Sequence, residues 1–149
     1  MKSQNDVLNI QSIEELTLHS LDRSLEGIEL LRRDSIHCGE LLLTNPVEAL
    51  GSLSALAGNL HTFSVFEGDI CSLFQVDTAR IRDVKGSLHS VESGFRSLLD
   101  MLTSQLNLSD FAGLSHLLRI ELPSVLDRFQ DLVPILRNYI DNEYVQVPN

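Results

Sequence analysis

The sequence has no tryptophan and few aromatic residues, which make up 5% of its 149 residues. It has only two cysteines, Cys38 and Cys71. If these lie on antiparallel helices that turn near Asn45, they sit at very different distances from the turn, so an intrachain disulfide is excluded. The core must therefore be built mainly from leucine, isoleucine and valine without covalent cross-links. This composition favours a bundle of helices.

Positive charge is also scarce. Eleven lysines and arginines face 21 aspartates and glutamates, which leaves a formal net charge of −10. Binding to nucleic-acid phosphates needs clustered basic residues, so the charge argues against a nucleic-acid partner. It favours a basic or amphiphilic partner instead.

Long apolar runs are missing. No stretch approaches the roughly 18 to 20 apolar residues that a membrane-spanning helix needs, so we expect a soluble protein that does not associate with membranes. Residues 1–11 lack the central apolar block and the small-residue cleavage site of a secretory signal. A cytoplasmic location is therefore the default expectation.

The strongest positive signal is an apolar stripe near the middle of the chain. It predicts a long third helix that begins with Asp77 or Thr78 as its cap and ends near Asn107. A stripe of this length must be buried against other helices. Its members recur alternately three and four residues apart, as on one face of an α-helix: Ile81, Val84, Leu88, Val91, Phe95, Leu98, Leu102 and Leu106.

The first helix is predicted to follow a loose, polar N-terminal arm, residues 1–11. Ser12 and Glu15 have the spacing of a capping box, so we expect the helix to begin there and to run to about Leu43. Its buried face is predicted to include a stripe at helical spacing: Leu18, Leu21, Leu25, Ile28 and Leu31.

The boundary between the first and second helices is the sharpest in the sequence. Asn45 is a favourable N-cap, and Pro46 suits the first helical position because its missing N–H is not needed there. Glu48 completes a second capping box. The second helix is predicted to run from this point to a turn at residues 75–78.

The fourth helix is predicted to start after a cap at Ser109 and Asp110 and to continue to about Asn142. An internal proline removes a backbone hydrogen bond, so Pro123 predicts a kink or a split near residue 119. Residues 145–149 are expected to be a mobile tail. The chain is thus predicted to be a single all-α domain, residues 1–149, folded as a four-helix up-down-up-down bundle with long helices.

No residues at diagnostic spacing indicate catalysis or a cofactor. A dinuclear carboxylate centre would need two Glu-x-x-His pairs, and only Asp34 and His37 have a related spacing. His37 and Cys38 are neighbours on a helix and point in different directions, so they do not form a nucleophile and base pair. We therefore assign no catalytic, cofactor-binding or metal-binding residues and expect no cofactor.

Pro123 also indicates one structural site. It frees a backbone carbonyl about four residues earlier, near Arg119. Glu121 lies beside this interruption, and its carboxylate is predicted to form an ion pair with Arg119 or with a basic residue of another helix. Arg119, Glu121 and Pro123 are therefore the candidate kink or ion-pair site, with a ligand-binding role or ordinary solvation of Glu121 as the alternatives.

The last helix resembles a segment of small uncharacterised bacterial all-helical proteins. The resemblance covers roughly 25 residues and matches a pattern of the type Asp-x-Leu-Leu-x-x-Glu-Leu-x-Pro, although here the proline follows Glu-Leu directly. It implies a bacterial origin and a helical fold, and no activity. The matching residues are Asp110, Leu114, Leu117, Leu118, Glu121, Leu122, Pro123, Leu126, Phe129 and Leu132.

Apolar residues outside the main stripes favour a non-enzymatic protein–protein interaction module, either an adaptor or a chaperone-like protein. These spare positions are buried inside the bundle if one helix is central, and bind a partner if they are exposed. One alternative is a self-associating structural homodimer, and another is a bundle enzyme that binds a small ligand or a metal. The positions are Leu30, Leu41, Leu43, Leu73 and Leu99.

Overall fold

The computed structural model describes the backbone of residues 4–145 and the side chains of residues 13–143. The first half of the chain forms two long helices, α1 (Gln4–Thr44) and α2 (Pro46–Leu73). Two very short strands, β1 (Arg82–Asp83) and β2 (Gly86–Ser87), pair as an antiparallel hairpin. A third long helix, α3 (Leu88–Asn107), follows directly.

The fourth long helix is built from consecutive pieces. It consists of α4 (Phe111–His116), a π-helical turn (Leu117–Glu121) and α5 (Leu122–Ile140), and a second π-helical turn (Asp141–Val145) ends it. The all-α class and the four-helix bundle are therefore confirmed. None of the described helices is long and apolar enough to cross a membrane.

The start of α1 differs from the prediction. The helix begins at Gln4, so the loose arm predicted for residues 1–11 is wrong for residues 4–11. Once a helix has nucleated, each added residue gains a hydrogen bond at little cost. The helix therefore extends towards the N-terminus past the capping-box residues Ser12 and Glu15. Residues 1–3, and residues 146–149 of the predicted tail, lie outside the described part of the chain.

The turn between α1 and α2 follows the prediction closely. Asn45 caps α2 by accepting a hydrogen bond from the Glu48 N–H at 3.3 Å. Its side-chain amide donates to the Glu48 carboxylate at 3.1 Å, and Pro46 occupies the first turn of the helix. The first bond is the one predicted for the capping box. The second differs, because Glu48 accepts from the Asn45 side chain while the Asn45 backbone N–H donates to the Leu41 carbonyl.

The predicted start of the third helix is wrong, because residues 77–87 form turns and the hairpin. The Asp83 carboxylate accepts hydrogen bonds from the N–H groups of Lys85 and Gly86, which closes a tight turn. Gly86 has a φ of 148°, which side chains disfavour. Ser87 then caps α3 by accepting from the Ser90 N–H. Local side-chain bonds and a glycine thus replace the first three turns of the predicted helix.

The interruption predicted before Pro123 is confirmed, and it takes the form of the first π-helical turn. The Leu122 N–H donates to the Leu117 carbonyl instead of the Leu118 carbonyl, and Pro123 has no N–H to offer. The Ser35 hydroxyl of α1 donates to the Leu118 carbonyl at 2.5 Å. A side chain from the neighbouring helix therefore satisfies a carbonyl at the break, which anchors the fourth helix to α1.

Helix α1 lies against both α2 and the fourth helix, and α3 lies against the fourth helix. Two ion pairs show that α1 and α5 run antiparallel: Arg32 pairs with Asp127, and Asp22 pairs with Arg137 further along α5. Three phenylalanines, Phe63 of α2, Phe95 of α3 and Phe129 of α5, meet edge to face at the centre of the bundle. Both cysteines are buried free thiols. This agrees with the prediction that they lie too far apart to form an intrachain disulfide.

Helix α1 approaches the fourth helix closely at Gly39. A β-carbon there would lie 3.0 Å from the Ser115 carbonyl oxygen and 3.2 Å from the Leu118 β-carbon. The Ser115 hydroxyl donates to the Gly39 carbonyl at 2.6 Å, so a hydrogen bond joins the two helices at this contact. By contrast, nothing lies within 4 Å of the same position at Gly58 of α2.

We therefore expect opposite effects from two glycine substitutions. Gly39→Ala should lower the free energy of unfolding by about 1–3 kcal/mol, because the added methyl group forces the two backbones apart. Gly58→Ala, in an exposed helix position, should raise it by about 0.5–1 kcal/mol, because alanine favours the helix. Urea denaturation of both variants checks the pair, and a stable Gly39→Ala variant would contradict the close contact.

Candidate functional site

A groove of about 600 Å³ runs between α1 and α2 on the outside of the bundle. The groove forms because small and polar residues of α1 and α2 face each other. Larger side chains at these positions would fill the space between the two helices. Phe63 and Phe66 of α2 and Leu30 and Leu31 of α1 contribute its apolar surface. The small and polar lining residues are Ser20, Ser24, Gly27, Asn59 and Thr62.

The groove continues past Asp34 and Asn59 into a second depression of about 230 Å³. Both residues line the two hollows, so the hollows form one channel along the α1–α2 seam. It extends along α1 from Ser20 to His37, which corresponds to roughly 26 Å of helix. We call this channel the α1–α2 groove.

The five spare apolar residues have different surroundings. Leu30, which lines the groove, is 56% exposed, and Leu43 and Leu73 are exposed as well. Leu41 and Leu99 are partly buried and pack against the core. Leu41 and Leu99 therefore fit burial inside the bundle, whereas the exposed residues are available to bind a partner. The exposed residues all lie on α1 and α2.

The segment that forms the α2 wall of the groove has no positively charged lysine or arginine. Residues 34–79 contain six acidic residues and no lysine or arginine. Arg23 lines one end of the groove, and Asp34 lies about three helical turns further along α1. Both side chains are exposed. A ligand in the groove therefore meets a positive charge at one end and a negative charge towards the other.

A second site lies inside the bundle, between α2 and α3. Glu67 and Cys71 are one turn apart on α2, and both are buried. The Cys71 thiol donates to the Glu67 carboxylate at 3.3 Å. Glu92 of α3 completes the cluster, and the three potential ligand atoms lie within 4.8 Å of one another. Among the described residues, this is the one group of three side chains that could hold a metal ion.

The surroundings of this cluster strongly affect its proton affinities. Burial raises the pKa of Glu67 to about 8, and the hydrogen bond with Glu92 and its negative charge add to the effect. Burial, followed by the charge of Glu67, also raises the pKa of the Cys71 thiol far above its ordinary value. The cluster therefore holds protons at neutral pH and is not a ready nucleophile.

The sequence did not predict this cluster, because its three residues match no recognised metal-binding motif. The only readable signal was the spacing of Glu67 and Cys71, which places them on one face of a helix. Glu92 carries no such signal, because its proximity depends on how α3 packs against α2. None of the five histidines belongs to the cluster.

A third polar contact fastens the hairpin to the fourth helix. The Arg128 guanidinium donates to both carboxylate oxygens of Asp83, at 2.6 and 2.7 Å, and also pairs with Asp131. The hydrogen bonds from Arg128 hold the pKa of Asp83 well below its ordinary value. Because both terminal amino groups of the guanidinium are used in these bonds, we interpret the contact as structural.

The candidate kink residues lie at the first π-helical turn. Arg119 and Glu121 are within the turn, and Pro123 is in the first turn of α5. The Arg119 guanidinium donates to the Ser115 hydroxyl at 2.9 Å. Among the described residues, no ion pair involves Glu121. Serine hydroxyls from α1 and α4, and not a carboxylate, therefore make the polar contacts at the break.

Comparisons with known proteins do not identify the chain: no protein family, no curated protein and no solved structure matches it. The similarity of the last helix to small bacterial proteins therefore stays a resemblance. Any function must be inferred from the groove and the buried cluster themselves.

Proposed function

We propose that this chain is a non-enzymatic interaction module whose α1–α2 groove binds a basic, amphipathic helix of a partner protein. The exposed apolar surface of the groove is the observation that carries the proposal. Leu30 is exposed to solvent beside the aromatic rings of Phe63 and Phe66, and together they offer the kind of pocket that anchors an incoming helix.

The dimensions of the groove support a helical ligand. A length of roughly 26 Å accommodates about 17 helical residues, or nearly five turns. Such a helix presents apolar anchors at positions i, i+4 and i+7 on one face. Ser24, Gly27 and Thr62 are small, so its backbone can approach the seam between α1 and α2 closely.

The charge distribution supports a basic ligand and one orientation. Asp34 is the one acidic residue among the described lining residues, and the chain as a whole has a formal net charge of −10. Basic residues beside the apolar face of the partner are therefore favoured. The positive N-terminal end of a bound helix is favoured near Asp34 and its negative C-terminal end near Arg23. The partner helix is thus expected to run antiparallel to α1.

The protonated state of the buried cluster supports the non-enzymatic assignment. Cys71 and Cys38 are both buried, and burial raises the pKa of each thiol. A cytoplasmic location stays a prediction from the sequence. Self-association through the same groove is the competing possibility, and the experiment below separates it from binding to another protein.

Site-specific photo-cross-linking in cells that naturally contain the protein tests the proposal. A photoreactive amino acid replaces Leu30 or Thr62 in the groove, and Val84, which is 102% exposed on the hairpin, provides the matched control. We expect both groove positions to cross-link to the same partner protein, and we expect no cross-link from position 84. Mass spectrometry should place the cross-link in a basic, amphipathic helical segment of a different protein.

Charge reversal provides the second readout. Asp34→Lys should reduce the adduct yield from position 30 by roughly twofold to fivefold, the range of an exposed charge interaction. Adducts that link two copies of this chain would replace the proposal with the homodimer. Equal labelling from Val84, or no adduct from either groove position, would refute it.

A further inference from the structure

The cluster of Glu67, Cys71 and Glu92 has the donor atoms of a metal site and lies at the joint between two helices. Two carboxylates and one thiol converge from α2 and α3, with all three ligand atoms within 4.8 Å of one another. In a tetrahedral zinc site, bond lengths of roughly 2.0 to 2.3 Å place neighbouring ligand atoms about 3.5 Å apart. The Cys71 sulfur and the Glu67 oxygen, 3.3 Å apart, already have this spacing.

Glu67 is buried without an ion pair to any other residue whose side chain the structure describes. Its side chain is only 5% exposed, and its hydrogen-bonding partners are the other two members of the cluster. No ion pair joins it to a lysine, arginine or histidine among the described residues. Arg96 lowers its proton affinity through space only, and its own side chain is exposed. A buried carboxyl group of this kind is costly unless a proton or a cation neutralises it.

Space for a further ligand adjoins the cluster. A cavity of about 70 Å³ adjoins both glutamates between α2 and α3, and its other lining residues are Ser64, Gly68, Phe95, Arg96 and Phe129. Nothing lies within 4 Å of the position that a β-carbon at Gly68 would occupy. The cavity is large enough for a water molecule, which would complete a fourfold coordination sphere beside three protein ligands.

We propose that Glu67, Cys71 and Glu92 bind one Zn²⁺ ion and thereby tie α2 to α3. The mixed set of thiolate and carboxylate ligands fits zinc, because magnesium and calcium prefer oxygen ligands alone. Binding replaces protons with the metal. The thiol proton of Cys71 and the proton held between the two glutamates pass to solvent, and no oxidation state changes. The affinity for zinc should therefore rise with pH.

Cobalt substitution tests this site, because Co²⁺ reports its ligands by absorption. The full chain, freed of metal with a chelator and then dialysed, is titrated with CoCl₂. We expect one equivalent to produce a near-ultraviolet thiolate-to-cobalt charge-transfer band, together with the visible bands of tetrahedral Co²⁺. Zn²⁺ should displace the cobalt and raise the melting temperature.

Matched variants locate the ligands. Cys71→Ser should abolish the charge-transfer band, and Cys38→Ser should leave it unchanged, because Cys38 is a buried thiol elsewhere that donates to the Ala49 carbonyl. Glu92→Gln, at a half-buried position, should weaken Co²⁺ binding at least about tenfold, the loss that even an outer partner of a metal ligand causes. Circular dichroism verifies that each variant is folded.

The opposite results overturn the proposal. No charge-transfer band in the folded wild-type chain, or a band that persists in Cys71→Ser, would show that the cluster does not bind the metal. An unchanged affinity in Glu92→Gln would remove the contribution of α3, and the cluster would then be a proton-sharing carboxyl pair. If Cys71→Ser does not fold, the Glu92→Gln affinity decides the question. None of these results depends on what occupies the α1–α2 groove.

Discussion

Phe129→Ala is expected to lower the free energy of unfolding by about 3–5 kcal/mol, the largest loss among the substitutions considered. The side chain is 1% exposed, and its ring lies 5.0 Å from the Phe63 ring and 5.4 Å from the Phe95 ring, centre to centre. Truncation leaves a cavity where α2, α3 and α5 meet and removes two edge-to-face contacts. Chemical denaturation monitored by circular dichroism measures the effect.

Two controls separate the aromatic cluster from simple loss of size. Phe129→Leu retains much of the volume and should be destabilised clearly less than the alanine variant. Phe111→Ala, at the partly buried first residue of α4, should also cost less, because its ring lies outside the aromatic cluster. If Phe111→Ala destabilises as much as Phe129→Ala, the cluster is not the centre of the core.

Glu67→Gln is expected to stabilise the metal-free protein above neutral pH, on the order of 5 kcal/mol at pH 9. Glutamine is nearly the same size, can still hydrogen-bond to Glu92 and Cys71, and carries no charge. Thermal and urea denaturation of both proteins between pH 5 and pH 9, in the presence of a chelator, measure the difference.

The direction of this effect follows from proton binding. Glu67 has a pKa of about 8 in the folded chain and an ordinary value of 4.5 when exposed. Between these values the folded state binds a proton that the unfolded state has released. The stability of the wild-type protein should therefore fall as the pH rises from about 4.5 to 8 and then level off. Below that range, Glu67 is protonated in both the folded and the unfolded state and does not contribute to the pH dependence of stability.

Two other glutamates, one beside Glu67 and one remote from it, provide the controls for this pH dependence. Glu92→Gln should also flatten the fall in stability, because the negative charge of Glu92 is one cause of the raised pKa of Glu67. Glu26→Gln, at an exposed position of α1, should leave the profile unchanged. A wild-type stability that does not fall between pH 5 and pH 8 would contradict the buried, protonated state.

The correctly predicted boundaries all rest on contacts between residues close in sequence. Asn45, Pro46 and Glu48 form a cap whose partners are three residues apart, so the sequence contains everything that the turn needs. Pro123 similarly predicts a break in the fourth helix, because its missing N–H is a covalent property. What the break looks like was not predictable, since Ser35 of another helix satisfies the freed carbonyl.

The wrong boundaries arose where two local signals competed. The spacing of Ile81, Val84 and Leu88 fits a helix, but only Ile81 and Leu88 are buried, and Val84 projects from the hairpin. Asp83 and Gly86 close the turn there, and Arg128 of α5 holds Asp83 in place. That last contact spans 45 residues, so no local pattern could reveal it.

The sequence by itself determined the helical class, the number of long helices and the cap at Asn45, because helical periodicity and capping depend on neighbours along the chain. Only the tertiary structure decided which apolar residues stay exposed, so that Leu30 lines a groove whereas Leu99 packs on the core. It also decided that Glu92 meets Glu67 and Cys71. Both outcomes depend on how each helix is rotated and which helix it faces, and those are set by packing over the whole bundle.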